Sequence, residues 1–131
     1  MQIEQSHIGN LLAAHTALDA IKEDKTPRYD FTPKVDWSIS KNIRVLAKEN
    51  ERIEELRQDL VRKHGLRKFK EPEKEAVYDV FLVEWRAAMQ GELDLPLLHF
   101  IKSDFRLSNN KIPRGVLATL APLIDDFESD E

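Results

Sequence analysis

Histidine and carboxylate side chains are the groups in this chain best suited to chemistry, because the sequence contains no cysteine. That absence excludes disulfides, thiolate zinc sites, iron–sulfur clusters and cysteine nucleophiles. Among the four histidines, His7 and His15 lie closest in sequence, but on a helix they would point about 80° apart, which is poor geometry for chelating a metal. We expect His15 to lie at the core edge with a hydrogen-bond partner and His64 to be a helix-end cation.

The sequence also lacks the motifs that common catalytic sites require. It has no HExxH motif, no EF-hand loop, no glycine-rich phosphate loop and no nucleophile elbow. The acidic residues Glu71, Glu73 and Glu75 are better explained as a solvated helix start than as a catalytic acid and base. We therefore expect a non-enzymatic protein that needs no cofactor and no metal.

The strongest polar cluster is the basic segment RKHGLRKFK at residues 62–70. Its cations could neutralise phosphates while the aromatic ring stacks on a base, which makes nucleic-acid binding one interpretation. The candidate residues are Arg62, Lys63, Arg67, Lys68, Phe69 and Lys70. The other interpretation is a basic helix end and loop that is solvated or meets acidic groups of a neighbouring chain, and the overall acidity and the following EPEKE favour it.

A long helix must carry the start of this basic segment. Thr32 followed by Pro33 is typical of a helix start, and Gly65 after the basic turn RKH is typical of a left-handed stop. The sequence therefore predicts a helix over residues 32–64, on the order of 50 Å long at about 1.5 Å per residue. Its apolar stripe comprises Val35, Ile39, Ile43, Leu46, Ile53, Leu56 and Leu60.

This stripe has to be covered, because an amphipathic helix gains little stability from propensity alone. Other helices of the chain, another protein or a second copy could cover it. Asn50 interrupts the stripe; it either fixes register as a polar seam residue or, as we favour, lies at the edge of the stripe. The predicted partner-binding residues are Ile39, Ile43, Leu46, Asn50, Ile53, Leu56 and Leu60.

Two shorter helices are predicted to flank the long one. The first spans about residues 6–23 with Ser6 as its cap, and the loop DKTPRYDFTP follows it. The other spans about residues 72–90, after a polar connector, although the strand-forming segment VYDVFLV competes with this prediction. Its apolar stripe is Val77, Phe81, Trp85 and Ala88, widened by Val80, Leu82 and Val83.

The remaining segments predict small elements. MQIEQ and a short strand around residues 93–95 can pair as an edge ribbon. Pro113 opens a last short helix that Pro122 kinks or ends, and an acidic tail from about residue 125 is expected to fray. The residues that this helix buries are predicted to be Val116, Leu117, Leu120 and Leu123. The predicted fold is thus mainly α, with a long central helix, two flanking helices, a short C-terminal helix and at most a two-stranded ribbon.

Size and charge set broader limits on the protein. A chain of 131 residues fits one domain with a sizeable core, and no stretch approaches the roughly 18 apolar residues of a membrane span. With no leader-like start, we expect a soluble cytoplasmic protein. Residues 1–70 contain 14 Lys and Arg against 11 Asp and Glu, a net +3, whereas residues 71–131 contain 6 against 13, a net −7. Such a split can steer partners or let copies associate head to tail.

Four segments of the sequence resemble a family of small helical proteins encoded by tailed bacteriophages and prophages. They are IGNLLAAHTALDAI, SISKNIRVLAKENERIEELRQDLVRKHG, GELDLPLLHFIKSDF and KIPRGVLATLAPLIDD. The chain departs from the family in its proline-bearing connector after Gly65 and its aromatic third helix. The resemblance implies no catalytic residues; it implies a phage product acting in the cytoplasm of the infected bacterium or in the virion. Together with the stripe, it predicts a non-enzymatic protein-interaction module that binds a phage or host protein, or itself.

Overall fold

A computed structural model describes residues 2–65 and 75–128, with the side chains of residues 75–78 not included. Within these residues the protein is mainly helical, as predicted, with one long helix and a small antiparallel sheet. The strands are β1 (Gln2–Glu4) and β2 (Glu92–Asp94), and the helices are α1 (Ile8–Leu18), α2 (Pro33–Lys63), α3 (Glu75–Met89) and α4 (Arg114–Leu120). None of the helices in the described ranges has the length and apolar character needed to cross a lipid bilayer.

The long helix α2 confirms the prediction for residues 32–64 to within one residue at each end. The hydroxyl of Thr32 accepts a hydrogen bond from the Val35 N–H at 3.4 Å, and Pro33 occupies the first turn. At the other end Gly65 has φ +68°, the left-handed conformation that glycine adopts at lowest cost. The 31 residues of α2 span about 46 Å.

The first helix is shorter than predicted at both ends. Ser6 lies in a 3-10 turn (Gln5–His7), and its hydroxyl donates to Glu4 Oε1 instead of capping the helix. The prediction of a helix to residue 23 was also wrong, because the chain reverses after Leu18: the Arg28 N–H donates to the Ala20 carbonyl at 2.9 Å. This local turn leaves Ile21, which continues the apolar spacing, 60% exposed.

The segment from residue 75 to residue 89 is a helix and not the competing strand. Its predicted start near Pro72 lies outside the described residues, and its end before Gly91 is confirmed. The predicted edge ribbon is also confirmed: β1 and β2 pair antiparallel, with Ile3 opposite Leu93. The second strand begins one residue earlier than the predicted residues 93–95.

The C-terminal part of the chain wraps around the helices in a largely extended path. It is interrupted by 3-10 turns at Lys102–Phe105 and Ala121–Leu123, the second containing Pro122 at the end of α4, as predicted. Leu120 and Leu123 are buried, whereas Val116 and Leu117 are only partly buried. The main core lies where α1, the first half of α2, α4 and this segment meet. Its large residues with 2% exposure or less are Ile8, Ile39, Leu46, Phe100, Phe105, Leu120 and Leu123.

The first residues of the acidic tail make ordered contacts. The Asp125 N–H donates to the Phe100 carbonyl at 2.9 Å, and Asp126 Oδ1 accepts from the Lys102 N–H at 2.7 Å. Residues 129–131 of the predicted frayed tail lie outside the described residues.

Candidate functional site

The predicted partner-binding stripe of α2 divides into two parts with different environments. In residues 33–48, the proximal half of α2, Ile39 and Leu46 are 1% and 0% exposed, and Ile43 packs against the same core. In residues 49–63, the distal half, Ile53 is buried but Leu56 and Leu60 are only half-buried. Ile39 and Leu46 therefore belong to the chain's own core, which corrects their prediction as partner-binding residues. The distal half remains the candidate surface.

An open groove of about 590 Å³ lies between the distal half of α2, α3 and the 3-10 turn near the N-terminus. We call it the α2–α3 groove. Its apolar lining comes from both helices and consists of Ile53, Leu82, Trp85 and Met89. Its polar lining consists of Glu4, Gln5, Ser6, Asn50, Glu54, Arg86 and Gln90, and Gly9 completes it. Two predicted partner-binding residues, Asn50 and Ile53, are thus brought together with parts of α3.

Gln5 fixes one end of this groove. Its Nε2 donates to the Ala88 carbonyl at 3.0 Å, and its Oε1 accepts from Arg52 Nη2 at 2.7 Å. Its backbone N–H also donates to the Gly91 carbonyl at 2.9 Å. A single side chain therefore joins the end of α3 to the distal half of α2. A Cβ at Gly91 would lie 3.0 Å from Gln5 Nε2, so glycine suits this close approach.

Outside the groove lining, α3 also meets the end of α2 and the residue that follows it. Lys63 Nζ donates to Glu84 Oε1 at 3.0 Å, and His64 Nε2 lies 3.5 Å from the same oxygen. The hydrogen bond from Lys63 is the main reason that the pKa of Glu84 lies below its ordinary value. Phe81 is fully buried between the edge of the His64 ring and the parallel face of Trp85. His64 thus does lie at a helix end, as predicted, next to a carboxylate.

The first two cations of the basic segment at residues 62–70 form ion pairs within the chain. Arg62 forms an ion pair with Asp59, and Lys63 forms one with Glu84. Two of the predicted nucleic-acid contacts therefore already have acidic partners within the chain. Arg67, Lys68, Phe69 and Lys70 lie outside the described residues, so nucleic-acid binding by this segment stays a prediction.

The polar residue that organises the core is Asn42 and not Asn50. Asn42 is fully buried; its Oδ1 accepts from the Leu98 N–H at 2.7 Å, and its Nδ2 donates to the Leu98 carbonyl at 2.9 Å. It ties α2 to the extended C-terminal segment as a neighbouring strand would. Asn50 is half-exposed at the groove, near Gly9, and its side chain makes no hydrogen bond within the described ranges. The prediction that Asn50 lies at the edge of the stripe fits this position.

Asn42 also contacts the buried side chain of His15 of α1. His15 Nε2 lies 3.1 Å from Asn42 Nδ2 and His15 Nδ1 lies 2.7 Å from the Leu11 carbonyl. Because the carbonyl needs a donor and the amide supplies one, the proton of the neutral ring belongs on Nδ1. Burial lowers the pKa of His15 below its ordinary value, which keeps the ring neutral. The predicted partner exists, but His15 is fully buried instead of lying at the core edge.

Sequence reasoning missed Asn42 and the groove for different reasons. Asn42 lies three residues after Ile39 and four before Leu46, so its position on the buried face was visible in the spacing. The groove depends on how far apart α2 and α3 lie, which no periodicity specifies. Among the described residues, no three His, Asp or Glu side chains are placed to hold a metal ion.

Comparison with known protein families, curated proteins and solved structures finds no match to this chain. The fold and the α2–α3 groove are therefore the observations from which a function has to be inferred.

Proposed function

We propose that the chain is a non-enzymatic protein-interaction module of bacteriophage origin that binds another protein in the α2–α3 groove. The phage setting comes from the resemblance of four sequence segments, and the partner would be a phage protein or a host protein. Virion assembly and inhibition of a host protein are both compatible with such a module. Its working site would be the cytoplasm of the infected bacterium or the virion.

The observation that supports this proposal is the incomplete cover of the distal half of α2. Ile53 forms part of an open groove together with Leu82 and Trp85, and Leu56 and Leu60, which lie outside the groove lining, are half-buried on the same helix. Burying apolar surface contributes about 25 cal/mol for each Å² removed from water, so covering this groove would stabilise a complex with a partner. An aromatic side chain within such a groove is typical of the residues that dominate binding energy.

The lining also indicates what kind of segment binds there. Amide side chains from Asn50 and Gln90 offer both donors and acceptors, which suits the polar groups of a polypeptide. The charge of Glu54 is already offset by Arg57 of the same helix, which leaves Glu4 and Arg86, one charge of each sign, in the groove lining. We therefore assign the groove to an amphipathic segment of the partner, which presents apolar side chains together with hydrogen-bonding groups.

Site-specific photocrosslinking tests the proposal. A benzophenone amino acid would replace Ser6, an exposed residue of the groove, and the chain would be expressed in the bacterium that carries its gene during phage growth. We expect one predominant crosslinked protein, which would not form when the same group replaces Lys48, an exposed residue of α2 outside the groove lining.

Two neighbouring residues of α3 provide a matched pair of variants. Leu82 lines the groove, whereas Val83 points about 100° away and is 67% exposed. Leu82→Asp should abolish the Ser6 crosslink, and Val83→Asp should leave it intact, with circular dichroism confirming that both variants fold. Equal crosslinking by the two variants would refute the groove as the binding site.

A further inference from the structure

Helix α3 has a second apolar face, directed away from the groove. Val80 and Val83 are 53% and 67% exposed, and Ala87 is exposed beside them. The spacing of three and four residues places all three on one side of the helix, opposite the buried Met89. We call Val80, Val83 and Ala87 the outer face of α3. No described element of the chain covers this face. Single exposed hydrophobic residues are common on protein surfaces, whereas neighbouring ones such as these indicate an interaction site.

Two opposite charges lie along one edge of this face. Asp79 and Arg86 are seven residues apart, which is nearly two helical turns, so they lie on the same flank. Neither side chain forms an ion pair within the described parts of the chain. The midpoint between them, at residues 82 and 83, coincides with the middle of the outer face. The two charges are therefore arranged symmetrically about the apolar contact.

We propose that the outer face of α3 binds the same face of a second copy of the chain, with the two helices antiparallel. A twofold axis that lies in the interface at right angles to the helices makes the two helices antiparallel. It also places the Asp79–Arg86 flanks of both copies on the same side of the interface. Asp79 of each copy then lies opposite Arg86 of the other, so the dimer contains two equivalent Asp79–Arg86 ion pairs. A parallel pairing about a twofold axis along the helices would instead place the two flanks on opposite sides of the interface, so Asp79 and Arg86 would stay unpaired.

The opposite flank of α3 does not conflict with this arrangement. Glu84 lies there, near the proposed axis, and its charge is already offset by Lys63 of the same chain. The apolar residues of the outer face and those of the groove lie on different sides of α3; Arg86 lies between them, since it also lines the groove. This self-association goes beyond the proposed binding of another protein and does not depend on it. One face of a 15-residue helix is small, which places the contact among weak interfaces of less than about 1,200 Å².

Sedimentation equilibrium of the purified chain tests the proposal over roughly 5 μM to 1 mM, the range in which weak complexes dissociate. We expect a reversible monomer–dimer equilibrium. Val83→Asp should weaken association by at least about tenfold, since it places two like charges at the axis. Leu82→Asp should leave association unchanged, because Leu82 faces the groove. A monomer at the highest concentration, or a dimer that tolerates Val83→Asp, would overturn the proposal.

Charge reversal tests the antiparallel geometry itself. Asp79→Arg alone and Arg86→Asp alone should each weaken the homodimer, because each creates two like-charge contacts. An equimolar mixture of the two variants should form heterodimers preferentially in native mass spectrometry, since opposite charges then meet on both sides. A statistical mixture of species would contradict the assignment. Failure of these tests leaves the Ser6 crosslink of the proposed function unaffected, so the two proposals can fail separately.

Discussion

The proximal and distal halves of α2 carry the same kind of hydrophobic stripe but have different surroundings. The proximal half is enclosed by α1 and the C-terminal segment, and Asn42 joins it to both. The distal half meets α3 across an open groove, and its leucines remain half-exposed. The comparison teaches that periodicity along a helix identifies the residues that need cover, whereas tertiary structure decides whether the chain itself supplies all of it.

The polar residues of the two halves differ in the same way. Asn42 satisfies both backbone groups of Leu98 within the core, and Asn110 forms an equivalent pair with the Asp30 backbone under the loop before α2. Asn50, in the distal half, borders the groove. A buried amide that replaces backbone pairing holds an extended segment in place, so we attribute the ordered path of the C-terminal segment to these two asparagines.

The largest effect is expected for Asn42→Ala. The substitution leaves the Leu98 N–H, the Leu98 carbonyl and His15 Nε2 without their partner inside the core, and it should lower the unfolding free energy by about 3–5 kcal/mol. Urea denaturation followed by circular dichroism measures this loss. Asn50→Ala is the matched control in the distal half and should cost less than about 1 kcal/mol. If the two variants lose equal stability, the contrast between the halves is wrong.

A pair of leucine truncations should give the next largest effect. Leu46 is fully buried in the proximal half, so Leu46→Ala should lower the unfolding free energy by about 3 kcal/mol through lost burial and a cavity. Leu60 lies half-buried in the distal half, so Leu60→Ala should cost about 1 kcal/mol or less. The same denaturation measurement compares them. A loss for Leu60→Ala as large as that for Leu46→Ala would mean that the distal half is as fully enclosed as the proximal half.

Much of the fold was predictable because local signals determine it. The ends of α2 follow from Thr32, Pro33 and Gly65, whose effects operate within one helical turn. The end of α1 was mispredicted, since Ile21 continues the helical spacing although the chain turns back before it. Such a reversal depends on hydrogen bonds across the turn, and apolar periodicity does not report them.

The candidate site was less predictable than the fold. The sequence placed Asn50 at the edge of the stripe, where it borders the groove, and Ile53, assigned to partner binding, packs in the core cluster and also lines the groove. The sequence could not supply the facing wall of Leu82 and Trp85. It also treated Ile39 as partner-binding, because periodicity assigns every position of a stripe the same need for cover. Distances between elements far apart in sequence decide both questions.

The smallest predicted effect is a pH dependence that originates beside the proximal half. Burial lowers the pKa of His15, so below its ordinary pKa of 6.5 the unfolded chain binds a proton that the folded chain does not. The unfolding free energy should therefore fall as the pH decreases from 7 towards 5, by at most about 1.4 kcal/mol per pH unit. Asp36 opposes this slope at the acidic end, because burial and the charges of Asp19 and Asp30 raise its pKa. Urea denaturation at pH 7.0, 6.0 and 5.0 should show the slope in the original chain and its loss in His15→Gln. A slope that persists in this variant would assign the protons to other groups and leave the buried ring without a role in acid sensitivity.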